Sequence, residues 1–128
     1  MISLMMAAAL LGAQEPDCRT AETQADMNRC AYLDFQAADR ELNQLWPQMV
    51  ALARESDREL GPDFDDRPSG EQTLREAQRA WLSFRDGWCT YEGYEARGGS
   101  METMLYEGCR ATLTRDRVAQ LRRMLDLR

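Results

Sequence analysis

The sequence predicts an all-α fold, a small antiparallel three-helix bundle closed by two disulfides. Three observations carry that prediction. Apolar residues recur every three or four positions in three long stretches, no segment sustains the alternation of a half-buried strand, and turn signals rich in glycine and proline separate the stretches. At 128 residues the chain is one domain's length. Its 44% hydrophobic content is enough for a packed core and argues against global disorder.

Residues 1–13, MISLMMAAALLGA, carry no charge. They are too short for a transmembrane helix, which takes about 20 apolar residues. They read instead as the apolar region of a secretory signal cleaved after Leu11-Gly12-Ala13. The expected mature domain is 14–128, periplasmic or secreted, with no stable membrane insertion once the signal is removed.

The first helix is expected from about Thr23 to Arg58, on the stripe Met27, Cys30, Ala31, Ala38, Leu42, Leu45, Met49 and Leu52, with Thr23 as N-cap. Pro47 lies inside this pattern; its missing N–H and its ring predict a kink or break near Leu45–Trp46. Residues 59–70, ELGPDFDDRPSG, read as a connecting loop. Ser69 and Gln72 form a capping-box signature for the second helix, whose stripe is Leu74, Ala77, Trp81, Phe84 and Trp88, with Trp81 and Phe84 as core anchors. That helix should end near Tyr94–Ala96. Gly98-Gly99 then makes a turn, and Ser100 is expected to cap a third helix carrying Met101, Met104, Leu105, Leu113, Val118, Leu121, Met124 and Leu125.

Cys18, Cys30, Cys89 and Cys109 are an even set without CxxC spacing, which favours disulfides over zinc or a redox pair. Four cysteines allow three pairings. In the expected topology, Cys89 and Cys109 lie at similar distances from the Gly98-Gly99 turn and face each other across a hairpin, leaving Cys18 for Cys30. The rival joins Cys30 to Cys89 and Cys18 to Cys109.

Composition removes whole classes of chemistry. There is no His, so Ser-His-Asp and Cys-His catalysis and HExxH zinc sites are excluded. All 16 basic residues are Arg, so a Walker-A lysine and Schiff-base cofactor attachment are excluded too. A net charge of −6 argues against nucleic acid as a partner, because phosphate contacts need a positive surface. The charge is unevenly spread: Arg110 to Arg128 holds six Arg and two acids, the remainder ten Arg and 20 acids. Late arginines complement a helix dipole, and the acidic remainder suits a cationic partner.

The polar constellations read mostly as framework. Arg85 and Asp86 are adjacent and are not expected to face each other, so Arg85 is assigned a helix 1 acid such as Asp39. Asn43 and Arg117 are assigned to a polar network between helices, and Asp39, Asn43, Trp81, Arg85 and Arg117 form the structural motif. Acids such as Asp34, Asp39, Glu76, Asp86, Glu92 and Glu107 are plentiful, but no spacing singles out a catalytic pair. Asp63, Asp65 and Asp66 lack the glycine and the terminal glutamate of an EF-hand loop, so no metal site is expected. The chain reads as a non-enzyme without a cofactor.

These residues resemble the secreted LprI-like lysozyme-inhibitor family. The likeness is carried by Thr23–Cys30 (TQADMNRC), Ala38–Asn43 (ADRELN, family AADxELN), Leu74–Trp81 (LREAQRAW) and Phe84-Arg85-Asp86 through Cys89. Gly98-Gly99-Ser100, Tyr106–Cys109 and Leu113–Arg117 continue it. Pro47 and the long acidic 59–70 loop depart from the family pattern. The resemblance implies a disulfide-bearing helical domain outside the cytoplasm, some relatives of which bind and inhibit lysozyme. On that basis the expected partner is a protein, with a cationic lysozyme foremost. The partner-binding candidates are the acidic loop residues Asp63, Asp65 and Asp66, and the second turn at Arg97 and Ser100. The alternative is a structural or accessory module of the cell envelope with no lysozyme partner.

Overall fold

The computed structural model describes residues 14–127, so the expected signal segment 1–13 lies outside the described residues. Three helices follow one another: α1 (Gln24–Leu60), α2 (Gly70–Gly93, extended by a 3-10 turn at Tyr94–Ala96) and α3 (Glu102–Asp126). Sequence neighbours run antiparallel, which makes α1 and α3 parallel. The pairs Asp34–Arg115 and Glu41–Arg122 display that register directly, since both partners are 81 residues apart and successive pairs are two turns apart. The arginine excess of α3 is therefore set against acids of α1 as well as against its own dipole. The Arg115 hydrogen bond holds the Asp34 carboxyl below the usual carboxylate range.

Two of the three expected caps form. Thr23 Oγ1 accepts from the Asp26 N–H and Ser69 Oγ from the Gln72 N–H, each at 3.1 Å. The third does not: Met101 precedes α3, and no side chain caps that helix. The Ser100 carbonyl instead accepts a 3.0 Å hydrogen bond from Asn28 Nδ2, so Ser100 ties the second turn to α1.

α1 runs unbroken through Pro47, contrary to the expected break. The carbonyl that Pro47 leaves without a donor belongs to Asn43, and both residues lie on the exposed face, where solvent can satisfy it. On the opposite face Leu42 and Met49 pack with Val118 and Leu121 of α3, and that contact holds the helix together across the proline.

The core is this cluster, with Leu45, Trp46, Leu52, Leu74, Trp81 and Leu125 partly buried against it. Two expected stripes are corrected. On α3 the buried seam is Glu107, Ala111, Thr114, Val118 and Leu121, while Met101 and Met124 are exposed. On α2 the inward residues are Gln78, Arg85, Cys89 and half-buried Trp81, and Phe84 is no core anchor. The disulfides are Cys18–Cys30 and Cys89–Cys109, which excludes the rival pairing. Both lie toward the end of the bundle where α1 begins and α2 finishes.

Candidate functional site

The acidic loop joins α1 to α2 at the opposite end. Gly61 ends α1 with φ +84°, its N–H donating back to the Asp57 carbonyl. The Asp57 side chain then reaches across to α2, accepting from the Gly70 N–H at 2.7 Å and the Glu71 N–H at 3.0 Å. A carboxylate on one helix thus caps the positive end of the next. Gly70 permits the approach, because a Cβ there would sit 2.9 Å from Asp57 Oδ1. Arg54 and Arg75 both bond the Glu71 carboxylate, at 2.7 and 2.9 Å, and these bonds, Arg54's first, lower its pKa.

This clamp leaves the loop outside it. Asp65 is occupied by Arg67, accepting from its backbone N–H at 3.0 Å and its Nε at 2.7 Å. Asp63 and Asp66 have no cation among the described residues and flank Phe64, whose surface is 63% exposed. Leu60, Pro62, Phe64, Arg67 and Pro68 line an open depression of about 800 Å³. The loop therefore presents two exposed carboxylates and an exposed phenyl ring beside an open depression rather than an enclosed cleft.

The second sequence candidate is remote from the first. Arg97 and Ser100 lie past the far end of α2, and a helix of 24 residues spans about 36 Å. Arg97 stacks its guanidinium 4.2 Å from the Tyr94 ring centroid, and Gly98 takes φ +77° in the turn. The two sets of candidates do not form one contiguous site.

The polar framework lies between these ends. Arg85 is buried, with Nη1 3.6 Å from Asp39 Oδ1 and 3.4 Å from Thr114 Oγ1. Contrary to expectation it also bonds its neighbour Asp86, Nε to Oδ1 at 2.9 Å, because the long side chain curls back along the helix. Arg85 and Arg110 both stack on Phe35, at 5.0 and 3.6 Å. Glu107 is buried beside them, 3.7 Å from Arg110 Nη1, and burial raises its pKa more than Arg110 lowers it. Asn43 and Arg117 do not share a network: Asn43 donates to Asp39 at 3.4 Å, whereas Arg117 donates to Gln78 at 3.0 Å under half-buried Trp81. Among the described residues no group of three or more His, Cys, Asp or Glu is placed to hold a metal ion.

The largest feature missed from sequence is the outer face of α2. Phe84, Trp88 and Tyr91 are 56%, 44% and 64% exposed. Phe84 and Trp88 stack at 6.3 Å with 14° between planes, and Trp88 meets Tyr91 at 5.7 Å. Cys89 was the available signal. Bonded to α3, it must point inward, and at about 100° per residue this turns Phe84 and Tyr91 away from the core and leaves Trp88 on the flank.

The sequence profile described as Lysozyme inhibitor LprI matches residues 16–121. The chain belongs to the LprI lysozyme-inhibitor family. Both disulfides, the acidic loop and the bundle as far as Leu121 of α3 fall within the matched LprI region. An uncharacterised protein of Rhizobium meliloti (strain 1021) is 50% identical over 113 residues, covering 88% of this LprI chain and 81% of that protein. No solved structure matches it.

Proposed function

We propose that this chain works outside the cytoplasm as a non-catalytic binding protein that inhibits a lysozyme or a related muramidase. The observation that carries the reading is its membership of a family described as lysozyme inhibitors over residues 16–121. Its chemistry supports the reading. Two disulfides suit an oxidising compartment. Among the described residues no helix is long and apolar enough to cross a membrane. The free carboxylates of Asp63 and Asp66 project from one end of a chain of net charge −6, which steers a cationic enzyme toward it.

The test is a lysozyme panel. Residues 14–128 with both disulfides formed are titrated into chicken-type, goose-type and invertebrate-type enzymes lysing a cell-wall suspension. Stoichiometric inhibition of one type, lost on reduction, is expected. No inhibition and no binding at tens of micromolar across all three would leave the envelope-module reading in its place. Asp63→Asn with Asp66→Asn should slow association at low salt and leave dissociation unchanged. An unaltered association rate removes the steering role.

A further inference from the structure

We infer that the aromatic face of α2 at Phe84, Trp88 and Tyr91 is the surface that grips the partner, by taking up arginine and lysine side chains of a cationic protein. The inference rests on the binding function proposed above and assigns it a surface. The three rings stand at i, i+4 and i+7, on one side of the helix and away from the core. They already contact one another in the absence of a partner. Phe84 stacks on Trp88, Trp88 contacts Tyr91, and Trp88 Nε1–H is anchored on Glu92 Oε1 at 2.9 Å. Binding there costs little side-chain entropy.

The occupant follows from how this chain treats its other rings. Arginines lie over Tyr32, Phe35, Trp81, Tyr94 and Tyr106, at 3.6 to 5.8 Å from the centroids. Among the described residues no arginine covers Phe84, Trp88 or Tyr91. The carboxylates of Glu92 and Glu95 follow Trp88 and Tyr91 by one turn each, and no described cation pairs with either. A ring face with a carboxylate one turn away attracts a side-chain cation twice over, through the ring quadrupole and through charge.

A second copy of this chain is a poor occupant. Antiparallel pairing of two α2 faces about Phe84 sets Glu92 against Glu76, and parallel pairing sets Glu92 against Glu92.

The experiment compares wild type with the combined variant Phe84→Gln, Trp88→Gln and Tyr91→Gln against the same three lysozymes, by binding kinetics. Circular dichroism and free-thiol titration report whether the variant is folded with both disulfides formed. The expected result is affinity lower by about 30-fold or more, through faster dissociation, with association little changed. Equal affinity of the folded variant overturns the inference and leaves the lysozyme reading standing. Wild type that binds none of the three overturns both. Sedimentation with purified peptidoglycan that only wild type shows, with lysozyme affinity equal in both proteins, overturns the protein partner in favour of a glycan. If the combined variant fails to fold, Tyr91→Ala and Glu95→Arg decide: each should weaken lysozyme binding, Glu95→Arg mainly at low salt, and unchanged affinity in both overturns the inference.

Discussion

At one end of the bundle Cys18–Cys30 and Cys89–Cys109 tie the amino-terminal segment to α1 and α2 to α3. At the other end no disulfide is present among the described residues. The Asp57 carboxylate caps α2 there, and Glu71 bridges Arg54 and Arg75. The disulfide bonds are indifferent to salt and moderate acid and break on reduction. The polar end is indifferent to reductant and weakens when its carboxylates are protonated or screened. One small domain thus combines two kinds of closure with opposite sensitivities. The aromatic face of α2 lies toward the disulfide end, where covalent pinning of Cys89 allows the outer side of the helix to stay apolar and uncovered.

The largest expected effect breaks the covalent end. Cys89→Ala with Cys109→Ala opens a loop of 20 residues and should lower the unfolding free energy by about 3 kcal/mol, read by denaturant titration. Cys18→Ala with Cys30→Ala opens a loop of 12 residues and should cost less. The reverse order would mean that the amino-terminal segment, rather than the α2–α3 hairpin, secures that end.

Next comes the polar clamp. Asp57→Ala removes the acceptor for two N–H groups at the start of α2 and should cost about 1 kcal/mol. Gly70→Ala should also destabilise wild type, because its Cβ displaces the Asp57 carboxylate. In the Asp57→Ala background the same change should be neutral or stabilising, since alanine is the better helix former. Additive losses in the double mutant would dissolve the clamp.

Glu107 joins the two regions in sequence, 3.7 Å from Arg110 of the framework and two residues before the disulfide-bonded Cys109. Burial raises its pKa, so the folded chain takes up this proton at a higher pH than the unfolded chain does. Its ionised form opposes folding at neutral pH, and the penalty fades as pH falls through the raised value toward the ordinary glutamate range. Glu107→Gln should therefore gain in melting temperature over wild type at pH 7, and the gain should shrink as pH falls toward the ordinary glutamate range. A difference constant across that range refutes the assignment. The smallest effect belongs to Arg54: Arg54→Gln should lower the melting temperature slightly at low salt and not at high salt, because the Arg54–Glu71 pair is solvent-exposed.

Much of this was legible in the chain itself. Thr23 and Ser69 announced two helix starts because capping is a local event, complete within four residues. Ser100 had the same look and does something else, since a capping side chain competes with whatever neighbour the fold supplies, here Asn28. Pro47 was read for the donor it lacks, but the cost of a missing donor depends on whether the orphaned carbonyl meets water, and that is a tertiary matter. The acidic loop was placed correctly between α1 and α2. Its partnership with Phe64, and the occupation of Asp65 by Arg67, were invisible without coordinates.

The sequence by itself determined three helices, two of their caps, the turns between them and the family likeness, all of which depend on residues near one another in the chain. Only the tertiary structure decided which face of α2 is buried, that Asp57 on α1 caps α2, and that Arg115 and Arg122 pair with Asp34 and Glu41. The reason is that helical periodicity marks apolar faces without ranking them. On α2 the apolar stripe is wider than the surface the bundle covers, running from Leu74 and Trp81 out to Phe84, Trp88 and Tyr91. The Cys89–Cys109 bond and the packing of Trp81 on the core bury its inner edge and leave its outer edge to solvent.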